Sequence, residues 1–135
     1  MIRILGIDYG LSNMGIAISD PLGITAQVLD SIKADHIWDG LKGLFAVYQI
    51  DEIVLGNPKN QHGGDSKMSE LVRLFKDNLE SNYSVKVVLW DERFSSKAVM
   101  RQFQAMNMKA ARKKQLKDSC SAAYLLQGYL DFRYN

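Results

Sequence analysis

The chain contains one cysteine and two prolines in 135 residues, and its formal net charge is only +2. Cys120 has no second thiol with which to close an internal disulfide. It also lacks Cys or His neighbours at ligand spacing, which excludes an oxidised framework and a zinc site and leaves a small buried residue on a helix. With so little proline and 47% hydrophobic residues, a disordered or linker-rich chain is excluded, and one compact domain spanning residues 1–135 is expected. No apolar run approaches the roughly 18–20 residues that cross a bilayer. The opening "MIRILGID" lacks the long apolar region and small-residue cleavage site of a secretory signal, so a cytoplasmic protein without a membrane partner is expected. A charge of +2 does not by itself indicate a nucleic-acid partner; the distribution of charge has to decide that.

The pattern that is present alternates strands with helices. Residues 3–8 and 14–19 of "RILGIDYGLSNMGIAIS" are two apolar runs joined by a short glycine-bounded connection, which predicts a hairpin. A third strand is expected over 24–32. Ile37, Trp38, Leu41, Leu44, Phe45 and Tyr48 then recur at helical spacing over 36–48. The run "EIVLG" at 52–56 predicts a strand closed by the loop "NPKNQHGGD", and helical periodicity resumes over 68–79. Another strand is expected over 85–90. It leads into "DERFSS", where Ser95 or Ser96 suits the N-cap of a helix beginning near Ala98. A last helix is expected over 114–132, and the whole order predicts a layered α/β domain without repeats.

Acidic residues mark the ends of these elements: Asp8 after the first strand, the Asp91–Glu92 pair after the last, and Asp118 near the start of the final helix. In an open α/β sheet the functional crevice lies beyond the carboxyl ends of parallel strands, where Asp8 and one acid of the pair can meet. Asp118 shares a helical stripe with Ala122, Leu125 and Tyr129, which puts a carboxylate at the end of a face that otherwise looks buried. Each acid alone has an ordinary alternative: a turn cap for Asp8, a helix-dipole acid for Asp118, an ion pair with Arg93 for Asp91 or Glu92. Together they are more informative. Two carboxylates about 4 Å apart repel by roughly 4 kcal/mol at an effective dielectric of ~20, so a cluster of three needs a proton or a cation. Oxygen-only ligands favour Mg2+ or Mn2+. The segment "KAARKKQLK" at 109–117 carries five basic residues with no acid before Asp118, a distribution that can track a phosphate backbone.

The segments "GIDYG…GIAISD", "IVLGNP…NQHGG", "VVLWDERFSS" and "KDSCSAAYLLQGYLD" occur in the order of the YqgF/RuvX family, and the chain resembles that family over nearly its whole length. The resemblance implies a ribonuclease H-like fold, a mixed five-stranded sheet flanked by helices. It also implies a nuclease acting on Holliday junctions or on precursor 16S rRNA during ribosome biogenesis, with nucleic acid as partner and a monomeric or homodimeric state. Carried over position by position, the family's acids fall on Asp8, Glu92 and Asp118, which would bind Mg2+ or Mn2+ and catalyse hydrolysis. Lys59, Asn60, Arg93, Lys113 and Lys114 are the expected nucleic-acid contacts. Where the family commonly reads "DYGTKRIG" this chain has "DYGLSNMG", and "GLPLNMDG" is here "GNPKNQHG". Lys59 returns some positive charge to the second loop. His62 there is an ordinary loop residue and is left outside the catalytic set. Two other classes compete with the nuclease. One is a nucleic-acid-binding ribosome-assembly factor without catalysis, distinguished by absence of metal-dependent cleavage. The other is a phosphate-binding domain of the actin-like ATPase class, distinguished by ATP binding.

Overall fold

The computed structural model describes residues 2–57, 67–91 and 117–134. Five strands, β1 (Ile2–Asp8), β2 (Asn13–Ser19), β3 (Ala26–Lys33), β4 (Gln49–Asn57) and β5 (Lys86–Asp91), form one sheet in the order β3-β2-β1-β4-β5. The first three make an antiparallel meander, whereas β4 joins β1 and β5 joins β4 in parallel. Among the described residues the helices are α1 (Ile37–Val47), α2 (Lys67–Asn82) and α3 (Lys117–Tyr134), with a short 3-10 turn over Ala34–His36 leading into α1. The mixed five-stranded sheet that the family resemblance implies is therefore present. The expected helix near Ala98 and its serine cap lie outside the described residues, as does the loop 58–66.

The boundary of β3 differs from its expected start at residue 24. The Asp20 carboxylate accepts the Ile24 and Thr25 amide protons at 2.7 and 3.1 Å, and the Asp20 amide donates to the Thr25 carbonyl at 2.9 Å. Gly23 supplies the positive φ of 71° that this turn requires. The β-branched Ile24 and Thr25 are thus held in a turn by a side chain that competes with the ladder. β4 is longer than the five-residue run read from the sequence because β1 and β5 flank it on both sides and extend its pairing.

Alternation along the strands divides the core into two layers. Leu5, Ile7, Ile16, Ile18, Ile53 and Leu55 point to one face, where Leu41 of α1 and Val72, Phe75 and Leu79 of α2 cover them. Ile4, Ala17 and Val54 point to the other, beneath Ala122, Ala123, Leu125, Leu126, Tyr129 and Leu130 of α3. The predicted stripe of Ala122, Leu125 and Tyr129 is indeed the buried side of its helix, and Cys120 is buried as expected. β1 sits in the middle of the sheet and must be covered on both faces. At Gly6 an added Cβ would lie 2.9 Å from the Leu126 Cβ, so glycine is what lets α3 descend onto the central strand.

The far end of α3 is held by a polar cluster that the sequence pattern did not reveal. Glu52, at 6% exposure, accepts the Tyr129 hydroxyl at 2.9 Å on one carboxylate oxygen and 3.2 Å on the other. Arg133 Nη1 lies 3.5 Å from the same carboxylate. Trp90 of β5 packs edge-on against the Tyr129 ring, with centroids 5.3 Å apart. Burial, reinforced by the hydrogen bond to Glu52, pushes the Tyr129 phenol up to about 12. The folded protein thus keeps a proton that an unfolded tyrosine releases near pH 10. The associated stability is complete below pH 10 and is lost as pH rises toward 12. Tyr129→Phe is expected to lower the unfolding free energy by about 1–3 kcal/mol, because it strips a buried carboxylate of a donor. It should also flatten the alkaline fall in stability between pH 10 and 12. Urea unfolding at neutral and alkaline pH measures both effects.

Candidate active site

Asp8 is the last residue of β1, and the two-residue period that carries Ile4 and Gly6 places it on the face covered by α3. It is half-buried. Its partner across the ladder is Gly15 of β2, which contributes no side chain. Between the two strands, residues 9–12 make a tight connection in which an added Cβ at Gly10 would sit 2.1 Å from the Asn13 carbonyl oxygen. The glycine at this position is dictated by the close approach of the backbone.

The first turn of α3 is tied to the same strand pair. Ser119, with 0% exposure, accepts the Ile16 amide proton on Oγ at 3.1 Å, and Ile16 is the residue next to Gly15 and the ladder partner of Ile7. This bond sits beside an irregularity in which Met14 pairs with Ile32 but Ile16 pairs with Leu29, so β3 carries an extra residue. Asp118, the second residue of α3, directly precedes the serine. The start of α3 and the end of the β1–β2 pair are therefore joined at one end of the sheet.

The alternation also bears on the Asp91–Glu92 pair. Val88 and Trp90 of β5 pack beneath α3, whereas Val87 and Leu89 face α1 and α2. Asp91, opposite Asn57 at the end of the β4–β5 ladder, shares the parity of Val87 and Leu89 and so belongs to the face away from α3. Glu92 lies outside the described residues, as do Arg93, Lys59, Asn60, His62, Lys113 and Lys114. Among the described residues no group of three His, Cys, Asp or Glu side chains is gathered at metal-binding distance. Among them, too, no helix is long and apolar enough to cross a membrane.

Two residues escaped the sequence reading. Ser119 carried no signal beyond its place after Asp118, since a buried serine on a helix looks like any small residue. Lys33 lies just past the strand expected over 24–32, whereas β3 runs to it. It stands opposite Asn13 at the end of the β2–β3 ladder, on the rim of a cleft beside the β1–β2 turn.

A three-strand meander followed by two parallel strands, with an acid at the end of β1 and a helix start brought down beside it, defines the ribonuclease H-like class of nucleases. Solved structures share the architecture. The fowlpox virus resolvase bound to Holliday junction DNA aligns over 98% of this chain and 99% of its own, with TM-score 0.62 and 18% identity. Thermus thermophilus RuvC aligns over 98% and 96%, with TM-score 0.58 and 12% identity. More specifically, the chain belongs to the RuvX family, described as Holliday junction resolvase, which it matches over residues 2–132. Relatives from Clostridium tetani (39% identical; 98% of this chain, 99% of theirs) and Bacillus subtilis (40% identical; 96% and 97%) both bear the name "Putative pre-16S rRNA nuclease".

Ser119→Ala removes the acceptor of a buried amide and is expected to cost about 1–3 kcal/mol. Urea denaturation should show a lower midpoint with an unchanged slope, since the surface exposed on unfolding is the same.

Proposed function

We propose that this protein hydrolyses phosphodiester bonds in structured RNA, trimming the 5′ end of precursor 16S rRNA, with Asp8, Glu92 and Asp118 as a carboxylate site for Mg2+ or Mn2+. The observation that carries this reading is the junction of Asp8 with the first turn of α3, pinned by the Ser119–Ile16 hydrogen bond at 3.1 Å. The RNA substrate is taken from the names of the relatives at 39% and 40% identity. A single domain spanning the chain accommodates the whole site.

The donor chemistry fits a hard divalent cation. Asp8 offers oxygen ligands at a strand end whose cross-strand neighbour is a glycine, and Asp118 begins the helix placed there. Glu92 is preferred to Asp91 as the third acid because Asp91 has the parity of the opposite face. When bound, the ion would acidify a water and offset charge developing on the phosphate. The protein's own part is to hold acids close enough that they repel unless a cation is present. Arg93, Lys113, Lys114, Lys59 and Asn60 are the nucleic-acid contacts in this reading. The reaction needs no covalent enzyme intermediate.

The test offers purified protein a precursor 16S rRNA fragment and, separately, a four-way DNA junction. Cleavage of the RNA is expected with Mg2+ or Mn2+ and none in chelator. Asp8→Asn and Glu92→Gln should each reduce the rate by roughly 100-fold or more, the scale of losing a pre-organised electrostatic contact to the transition state. Asp91→Asn should leave the rate within a few-fold. Cutting of the junction but not the RNA transfers the assignment to DNA, and undiminished cleavage in chelator removes the metal from the mechanism.

A further inference from the structure

The rim beside Asp8 holds a cleft that the acid site does not use. The β2–β3 ladder ends at the Asn13–Lys33 pair, and just beyond it the Ser12 carbonyl accepts the Ala34 amide proton at 2.9 Å. That bond ties the β1–β2 turn to the connection entering α1. Between these walls lies a cleft of about 410 Å3 lined by Leu11, Ser12, Asn13, Lys33 and Asp35, a volume within the range of small-ligand sites. The Leu11 side chain is 67% exposed on a turn whose geometry the Gly10 contact fixes.

The position of the cleft relative to Asp8 follows from the strand geometry. Asn13 has the parity of Gly15, the partner of Asp8, so it belongs to the same face of the sheet. Two residues of strand separate them, about 7 Å at 3.4 Å each. Successive phosphates along an extended single strand are spaced by a similar distance, so a strand with a phosphate at Asp8 brings its adjacent nucleotide to the cleft.

We propose that this cleft is a subsite for one nucleotide flanking the scissile phosphate, a reading that rests on the nuclease function above. Lys33 receives the flanking phosphate as a mobile point charge. The Asn13 amide, with one acceptor and two donors, meets the edge of the base, and Leu11 offers an apolar surface to its face. Asp35 repels phosphate from the outer wall, which orients the nucleotide with its backbone toward Lys33 and leaves a carboxylate acceptor for an amino or hydroxyl group. A single-stranded segment is the ligand this fits, because a paired base cannot present its edge and face to a side cleft.

The experiment uses short fluorescein-labelled single-stranded RNA in EDTA, so that binding is read without cleavage. One series carries a single abasic nucleotide walked along the strand. Lys33→Glu is expected to weaken binding about tenfold at low salt and to reduce the log–log salt slope by about 0.7, the value for one single-strand phosphate contact. Lys33→Arg should restore both. Wild type should bind the abasic series roughly five- to tenfold more weakly at one position, the scale of a lost base contact. Asn13→Ala combined with Leu11→Ala should erase that position's penalty while keeping the salt slope. All these residues are at the surface, and unchanged thermal midpoints confirm that the variants fold. Wild-type affinity and slope in Lys33→Glu, or an abasic series without a sensitive position, overturns the subsite. The nuclease reading fails separately, if the wild-type protein cleaves neither RNA nor junction while binding still depends on Lys33 and Asn13.

Discussion

The close descent of α3 onto the central strand is the constraint on which the remaining architecture depends. β1 is covered on both faces, and over Gly6 no atom larger than hydrogen fits between strand and helix. A helix lying this near the sheet must have small or well-fitted residues along its buried side, and Ala122, Ala123 and Leu126 meet that need. Packing of this kind resists sliding poorly unless something directional fixes the ends. Ser119 on Ile16 fixes one end and Tyr129 on Glu52 the other. Gln127 adds a lateral tie: its Oε1 accepts the Ala26 amide proton at 2.9 Å at the start of the edge strand β3, and its Nε2 donates to the Ile24 carbonyl at 2.8 Å in the preceding turn.

The two ends of α3 serve different purposes. At the Glu52 end a buried carboxylate is compensated by a phenol and a guanidinium, and the cost of burying it is met by hydrogen bonds that exist only when the helix is docked. At the Ser119 end the anchor is neutral. A carboxylate follows on either side of it, Asp118 in the chain and Asp8 across the strand pair. A neutral tie is suited to that place, because it adds no further charge beside the two acids. The helix thus delivers its first turn to the strand end with a precision set by contacts along its whole length.

Much of this was legible in the sequence because the sheet is a period-two object and the helices are not. The five strands and the three helices among the described residues followed from apolar spacing, whereas their arrangement in one mixed sheet came from the family resemblance. The start of β3 was misplaced because Asp20 bonds the amides of Ile24 and Thr25, and a hydrogen bond from one side chain leaves no trace in hydrophobic periodicity. β4 was read short because its ends are polar in sequence yet paired, the first with β1 and the last with β5. Glu52 was invisible for a related reason: a glutamate at a strand start looks exposed unless the residue seventy-seven positions away that bonds it is known.

For the site, residue type and order along the chain determined which acids stood at element ends and which family they resemble. They also determined that oxygen ligands, not thiols or imidazoles, would serve any metal. Periodicity could not choose between Asp91 and Glu92, because a central strand is apolar on both faces. Only the tertiary structure showed which face α3 covers, and so which parity in β5 lies beneath that helix. The same holds for Ser119 and Lys33. Neither carries a local signal, and each acquires meaning from a partner distant in the chain: Ile16 across the helix–strand contact, Asn13 across the ladder. Local pattern encodes what a residue can do, whereas what it does depends on the neighbour that folding supplies.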